Sequence, residues 1–359
     1  MKLKQSILIL TIIGSGTFGC NEPDVPPADD HFLNYEIPLV PVEPDYVVGA
    51  LYDRFDWNSN VPETPTVGVY DADLGDPAVY AQHIDQANTG GIDYFIFSLR
   101  STVDMAEFQS DSAFISTLHQ ASNAGEMKYA LSYNFGSMDL SSSDRIEDEG
   151  LVPTFLKDFE LMLPYFQQSN YMAIDGKSVV YMAGSHNLYA NDSEALYQQL
   201  RSQMSGLGVE LYLIGEQTDW TPPLRYSMRF INAVDAVTHR TYLDIEKIEY
   251  DRMIMLNKYC DQAWTYHQEA LANYGLEYVP TIAPSINPTI TNSKSTNYVF
   301  EKDVQFFAEH CNVARKVTGS KQLVILDSFN DWNAGKQIES ATSYGDEFLN
   351  VLRQQFKVN

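Results

Sequence analysis

Eight short apolar runs, separated by segments of helical pattern, limit the fold of this chain more than any other feature. Runs of this length that are rich in Val, Ile and aromatic residues indicate buried strands. They are Tyr46 to Leu51, Ile92 to Leu99, Met127 to Tyr133, Ser178 to Met182, Val209 to Ile214, Val234 to Val237, Tyr278 to Ala283 and Gln322 to Leu326. Repeated strand-helix-strand units favour a parallel sheet, and eight of them favour a single α/β domain, the (β/α)8 TIM barrel.

The helical segments between the runs have recognisable ends. Asp76 and Pro77 predict the start of one helix and Gly90 predicts its end, in the usual order of cap, first-turn proline and terminal glycine. Further helices are predicted at about Asp111 to Ala124, Val152 to Gln168, Asp192 to Ser205, Asp244 to Tyr274, Asn297 to Val317 and Tyr344 to Phe356. The segment from Pro222 to Phe230 allows only a short helix. A doubly wound open sheet is therefore the alternative fold.

The N-terminus has the pattern of a bacterial export signal. Lys2 and Lys4 precede an apolar run and small residues that end at Gly19, which predicts a signal peptide over residues 1–19. Cys20 follows a segment similar to a lipobox, with Thr17 where Leu is usual, and is the candidate lipidation site; an ordinary cleaved signal is the alternative. Residues 20–45 contain six prolines among acidic residues, which is typical of a solvated tether before a domain over residues 46–359.

These features predict a lipid-anchored protein of the bacterial cell envelope, on the outer membrane and facing the exterior or the periplasm. Its membrane contact would be through the N-terminal lipid alone, because no later run approaches the ~18 apolar residues of a membrane span. Loss of residues 1–19 would move the net charge from −25 to −27, because that segment holds two lysines and no acid. Such a charge argues against nucleic acid and anionic membranes as partners and suits a neutral or cationic ligand.

The sequence gives no sign of a cofactor, a metal or an oligomeric partner, so we expect a monomer that needs none. His186, His239 and His267 lack the spacing of metal ligands. Two thiols, Cys260 and Cys311, remain after Cys20; they could pair, but two cysteines do not form a disulfide framework.

Polar and aromatic side chains follow the predicted strands, where a barrel would gather them at one mouth. Amides and carboxylates that bond hydroxyls, beside rings that stack on sugars, are typical of a carbohydrate cleft. The candidate substrate-binding residues are Tyr52, Asp53, Trp57, Asn134, Asp219, Trp220, His239, Asn287, Asn330 and Trp332. The candidate catalytic carboxylates are Asp331 and Glu216.

The stretch from Ser328 to Glu339, Ser-Phe-Asn-Asp-Trp-Asn-Ala-Gly-Lys-Gln-Ile-Glu, resembles a motif of known glycosidases. The motif is Ser-Phe-Asn-Glu-Trp-His-Glu-Gly-Thr-Gln-Ile-Glu, from the endo-α-mannosidase-type glycoside hydrolases of family ninety-nine and the related family seventy-one and WbsX-like barrels. A second stretch, from Tyr70 to Ser98, is similar to the family segment that leads into the second strand. The resemblance implies a TIM barrel that acts on a glycan.

The catalytic pair of that motif is altered here. The resemblance implies a base at Asp331, one methylene shorter than the family glutamate, but the family's second glutamate is Ala334 and its histidine is Asn333. Loss of a general acid typically lowers a rate by about 10² to 10⁴. One hypothesis is a glycosidase whose acid comes from another strand end, with Glu216 preferred over Asp219 and Asp53. The other is a glycan-binding lipoprotein that keeps the cleft without turnover.

Overall fold

A computed structural model describes residues 34–140, 144–217, 229–241 and 255–358. Within it, the chain from Ile37 onward forms one compact unit. This unit begins before Tyr46, because the end of the predicted tether packs against the domain: Val40 N donates to Asn312 Oδ1 at 2.9 Å. The predicted signal peptide and Cys20 lie outside the described residues.

Each of the eight predicted apolar runs contains a strand. In chain order the strands are β1 (Val47–Tyr52), β2 (Tyr94–Arg100), β3 (Lys128–Asn134), β4 (Ala173–Ile174), β5 (Lys177–Ala183), β6 (Leu211–Gln217), β7 (Ala236–His239), β8 (Glu277–Tyr278), β9 (Thr281–Ile282) and β10 (Leu323–Leu326). The order in the sheet is β8-β7-β6-β5-β3-β2-β1-β10-β9, and every pair along this path is parallel. Among the strands of the described residues, β4 alone is antiparallel, and it pairs with β5.

The two ends of this strand order belong to one short segment of chain. β8 pairs with β7 and β9 pairs with β10, and only Val279 and Pro280 lie between β8 and β9. Val279 N donates to Val237 O at 2.9 Å, and Ile325 N donates to Pro280 O at 3.0 Å. The parallel sheet therefore curls back on itself, as in a TIM barrel, and the open-sheet alternative is not supported.

Helices alternate with the strands. They are α1 (Pro77–Gly90), α2 (Met105–Leu118), α3 (Val152–Leu161), α4 (Leu163–Phe166), α5 (Ser193–Gly206), α6 (Leu256–Ala272), α7 (Pro288–Thr291), α8 (Val304–Val317) and α9 (Glu347–Phe356). The predicted bounds of α1 are confirmed, with Asp76 capping Ala78 N. The predicted starts of α2 and α8 were wrong, because Asp104 and Asp303 cap these helices instead. The predicted segment from Pro222 to Phe230 lies mostly outside the described residues.

Aromatic side chains fill the core beneath the carboxyl ends of β1 and β2. The Tyr52 ring lies 5.1 Å from the ring of Phe95, 5.3 Å from that of Phe97 and 5.9 Å from that of Phe329. Such ring pairs add roughly 0.5 to 1.5 kcal/mol each beyond their buried area. This packing fixes the first residues of the loops that follow β1 and β10.

The two cysteines of the barrel, Cys260 and Cys311, are buried free thiols and do not pair. Among the residues described, no helix has both the length and the apolar character needed to cross a membrane.

Candidate active site

A buried ion cluster lies where β10 ends. Asp327 is fully buried and accepts from Lys336 Nζ at 2.9 Å and from Arg240 Nε and Nη2, each at 3.2 Å. Burial alone would raise the pKa of Asp327, but the two cations hold it well below its ordinary value. Asp327 therefore stays ionised and fixes two positive charges beneath the mouth of the barrel.

Asp53 is a carboxyl in an unusual environment, directly after β1. Its side chain is half-buried, and Oδ2 has no hydrogen-bond partner among the described residues. Burial, and then the negative charge of Asp331, raises the pKa of Asp53 to about 7, against the opposing hydrogen bond from Ser328. Asp53 therefore carries a proton over much of the neutral and mildly acidic range.

Asp331 is the second carboxyl of this pair. Its Oδ1 accepts from Ala334 N at 2.9 Å, and its own N donates to Ser328 Oγ at 2.7 Å. Burial raises the pKa of Asp331, although the ammonium group of Lys336 opposes this shift. Ser328 Oγ thus holds the main chain at Asp331, while the neighbouring Asn330 links the same loop to Asp53.

Asn330 holds the main chain of Asp53 from both sides. Its Oδ1 accepts from Asp53 N at 2.7 Å, and its Nδ2 donates to Asp53 O at 3.0 Å. The Asn330 side chain is fully buried. It was predicted to bind substrate, but in this position it orients the loop after β1 instead.

Asn330→Ala is expected to cost about 1 to 3 kcal/mol of stability, because two buried hydrogen bonds are lost. We also expect the pKa of Asp53 to fall, because its carboxyl is no longer held in place and gains water. Carboxyl-carbon NMR of the parent and the variant measures this pKa, and an unchanged value would contradict this positioning role. Asn60→Ala is the matched control, since the side-chain amide of this exposed residue donates to Ile290 O in α7, at 3.2 Å.

The end of the motif forms a buried network around Glu339. This carboxylate accepts from Trp332 Nε1 at 2.7 Å and Tyr70 OH at 2.9 Å, and it pairs with His83 Nε2 at 3.0 Å. Tyr52 OH bonds the other nitrogen of His83 at 2.8 Å. Trp332 and Tyr52, both predicted to contact sugar, are thus buried beneath the site and support its floor.

Glu216, predicted as the acid, is clamped by its neighbours at the end of β6. Tyr181 OH donates to its Oε2 at 2.6 Å, and Gly184 N donates to its Oε1 at 3.0 Å. Only 6% of the residue is exposed. With both oxygens occupied, Glu216 fits a structural role better than that of a proton donor.

His239 is also buried, with Nε2 bonded to Tyr278 OH at 2.7 Å, and burial lowers the pKa of His239 to about 4. Trp57 is half-buried; its Nε1 donates to Tyr70 O at 2.6 Å and its ring lies 5.8 Å from Trp332. Asn134 and Asn287 are half-buried caps of short helical turns. Asp219 and Trp220 lie outside the described residues.

Two important site residues were not among the catalytic or substrate-binding candidates, although Arg240 follows a predicted strand and was expected to face the mouth of the barrel. Arg240 and Lys336 supply the positive charge around Asp327, and Lys336 occupies the position of Thr in the family motif. The sequence did contain a signal for them. Both residues are basic and lie near the ends of predicted strands in a strongly acidic chain, where acidic side chains are available to pair with them. Within the described parts of the chain, no cluster of three or more His, Cys, Asp or Glu side chains could hold a metal ion.

The fold and the site together define a glycoside hydrolase-like barrel. A family model described as glycosyltransferase WbsX matches residues 154–352. A solved structure described as a glycoside hydrolase-like protein is 36% identical, with a TM-score of 0.83, and the match covers 92% of this chain and 99% of that one. The chain belongs to the WbsX family, as the motif at Ser328 to Glu339 implied.

More distant structures share the fold. A family ninety-nine endo-alpha-mannosidase from Bacteroides thetaiotaomicron has a TM-score of 0.61 at 12% identity, covering 86% of this chain and 96% of that one. A family five lichenase from Caldicellulosiruptor sp. F32 has a TM-score of 0.52 at 9% identity, covering 90% and 98% respectively. None of the curated proteins matches the sequence.

Proposed function

We propose that this protein hydrolyses a glycosidic bond, with Asp53 as the proton donor and Asp331 as the second carboxylate. The observation that carries this proposal is the pair itself: Asp53 follows β1, Asp331 follows the neighbouring β10, and Asn330 beside Asp331 binds the main chain of Asp53. Burial, and then the charge of Asp331, raises the pKa of Asp53. Titratable groups whose pKa values are shifted by burial and by a specific charged neighbour are typical of acid-base sites.

In the proposed reaction, protonated Asp53 donates its proton to the glycosidic oxygen as the bond from that oxygen to the anomeric carbon breaks. Ionised Asp331 stabilises the positive charge that develops on the sugar, and a water molecule supplies the oxygen of the new hydroxyl group. The fixed cations Arg240 and Lys336 favour the ionised form of Asp331. As the water oxygen bonds the anomeric carbon, the water releases one proton, and ionised Asp53 takes this proton and returns to its starting form.

This assignment supplies an acid despite Ala334. The loop after β1 lies against the motif: Asn58 N donates to Asn333 Oδ1 at 3.0 Å, and Asn333 Nδ2 donates to Asp56 O at 2.7 Å. The loop that carries Asp53 therefore packs against the motif that carries Asp331. We propose a neutral or cationic glycan as substrate, since the net charge of −25 opposes acidic polymers, and α-mannans are the first choice because a mannosidase shares the fold.

The test is the release of reducing ends from a panel of polysaccharides across the pH range. We expect a bell-shaped profile. Activity should fall as pH rises through about 7, because Asp53 loses its proton, and should fall in acid as Asp331 gains one. A profile that is flat from pH 5 to pH 9 on a cleaved substrate would contradict Asp53 as the acid.

A glycan-binding protein without turnover is the second candidate. Ala334 favours it, because the family places a glutamate there and the backbone N of Ala334 is already used by Asp331. This candidate predicts affinity for a polysaccharide that the pure protein never cleaves, and unchanged affinity in Asp53→Asn.

We also propose export and lipid anchoring through Cys20 in the cell envelope, on the basis of the N-terminal sequence. Metabolic labelling with a tagged palmitate should mark the full chain, and Cys20→Ala should abolish the label and release the protein from the membrane fraction. Cys260→Ala is the matched control, since this thiol is buried in the barrel. Equal labelling of the Cys20 variant would contradict the proposal.

A further inference from the structure

A cavity, here called the side pocket, opens beside the motif that carries Asp331 and is lined in part by Trp332 and Gly335. Glu63, Asn287, Phe300, Lys302 and Gln337 are among its lining residues. These residues belong to the loops that follow β1, β9 and β10 and to the segment before α8, so the pocket lies at the same edge of the barrel as the site.

One backbone turn separates the side pocket from Asp331. The turn runs from Trp332 to Gly335; Asp331 Oδ1 accepts from Ala334 N within it, and Gly335 lines the pocket. Gly335 has φ +68, and a Cβ at this position would lie 3.0 Å from Asn287 Cβ, so the wall is thin and tightly packed. A four-residue turn spans less than about 7 Å, which is the scale of one sugar unit.

The side pocket has the size of one sugar unit. Its volume is about 80 Å³. A water molecule needs roughly 10 to 15 Å³ of cavity volume measured in this way, so the pocket has room for several. One bound monosaccharide would displace about this number of waters.

The lining combines apolar surface with fixed polar groups. Phe300 and Ile290 are mostly buried and line the pocket with carbon atoms. Glu63 is held by Gln337 Nε2 at 3.1 Å and by Ser343 Oγ at 3.2 Å. Sugar sites need this mixture, because a pyranose presents C–H faces and hydroxyl edges.

The charges of the side pocket disfavour an acidic ligand. Glu63 and the exposed Glu301 both line it, with Lys302 as the counter-charge. Lys302 Nζ donates to Ser285 Oγ at 2.9 Å and to Gln337 O at 2.7 Å. Burial lowers the pKa of Lys302 to about 7, against the opposing charge of Glu63, so the lysine is only partly cationic at neutral pH.

We propose that the side pocket is a second saccharide subsite, which binds a sugar unit bearing hydroxyl or amino groups and no acid group. Glu63 accepts hydrogen bonds from this unit, and the apolar wall at Phe300 and Ile290 covers its C–H face. The inference rests on the proposed carbohydrate-active function and names the class of substrate that this site selects.

The test is ligand-observed NMR titration of the Asp53→Asn protein with D-mannose, D-glucosamine and D-glucuronate, so that binding is measured without turnover. We expect mannose and glucosamine to bind, and glucuronate to bind at least about fivefold more weakly, from one like-charge contact at roughly 4 Å in water. Val61→Trp, at the rim of the pocket, should abolish mannose binding by filling the space. Glu63→Gln should reduce the difference in affinity between mannose and glucuronate.

Glucuronate binding as tight as mannose binding, or mannose binding unchanged in Val61→Trp, would overturn the proposal. If circular dichroism shows that Val61→Trp does not fold, Glu63→Gln alone tests whether the pocket selects against an acidic sugar. An unchanged preference for mannose over glucuronate in Glu63→Gln then overturns the proposal. The two proposals can fail separately. If the side pocket binds no sugar, the parent protein still releases reducing ends from its substrate. If the protein does not hydrolyse glycans, the side pocket still binds mannose more tightly than glucuronate.

Discussion

Asp53→Asn is expected to lower turnover by about 10² to 10⁴, because the substituted amide cannot donate the proton that the leaving oxygen requires. The same change should stabilise the protein above neutral pH. The pKa of Asp53 in the folded state is raised to about 7, so ionisation of this carboxyl opposes folding. The free energy of unfolding therefore falls as pH rises from the ordinary pKa of an aspartate towards 7. Removing that cost is worth about 4 kcal/mol at pH 8, or roughly 6 °C in Tm.

Glu216→Gln is the matched control for Asp53→Asn. It is also a strand-end carboxylate, but its two oxygens are bound by Tyr181 and Gly184. We expect it to lose stability through the weakened hydrogen bonds and to keep turnover within about tenfold of the parent. If Glu216→Gln abolishes turnover and Asp53→Asn does not, the acid is Glu216 and our assignment is wrong.

Asp327→Asn is expected to destabilise the protein by about 3 to 5 kcal/mol. The substitution leaves Arg240 and Lys336 without their buried counter-charge, and an unpaired buried charge is among the most costly defects in a core. We expect a fall in Tm of roughly 6 to 10 °C. The pKa of Asp327 is lowered in the folded state. Ionised Asp327 therefore stabilises the fold at every pH above the ordinary pKa of an aspartate, and this stabilisation is lost only as pH falls below that value.

The control for Asp327→Asn is Asp175→Asn, which removes a mostly exposed partner of Lys321. Solvent screens this pair, so no measurable change in Tm is expected. Thermal melts at pH 7 of both variants and the parent make the comparison. Equal stability of Asp327→Asn and the parent would show that the ion cluster does not hold the mouth of the barrel together.

The strands were predictable because a buried parallel strand carries its own signal. Each apolar run, such as Gln322 to Leu326, is too short for a helix and is bounded by polar residues, so local sequence decides its state. Helix starts were less predictable, because an aspartate can either cap a helix or form an ion pair with a residue elsewhere in the fold. Asp111 was interpreted as the first residue of a helix, but it lies inside α2 and binds Arg54 and Arg100 across the fold.

The candidate site was predictable in part. Asp331 followed from the motif, whereas its partner did not, because Glu216, Asp219 and Asp53 look alike as carboxylates after strands. Burial and the charge of a neighbour distinguish Asp53, and both depend on how the loops after β1 and β10 pack. The buried positions of Trp332 and Tyr52 likewise come from Glu339 and His83, which are far from Tyr52 in the sequence.

The central claim is that Asp53 and Asp331 interact as a carboxyl pair, and carboxyl-carbon NMR titration of the aspartates tests it most directly. We expect one aspartate of the parent to titrate near pH 7, to disappear in Asp53→Asn, and to titrate at lower pH in Asp331→Asn, where the neighbouring negative charge is gone. Titration of every aspartate below about pH 5 in the parent, within the ordinary range for this residue, would contradict the account.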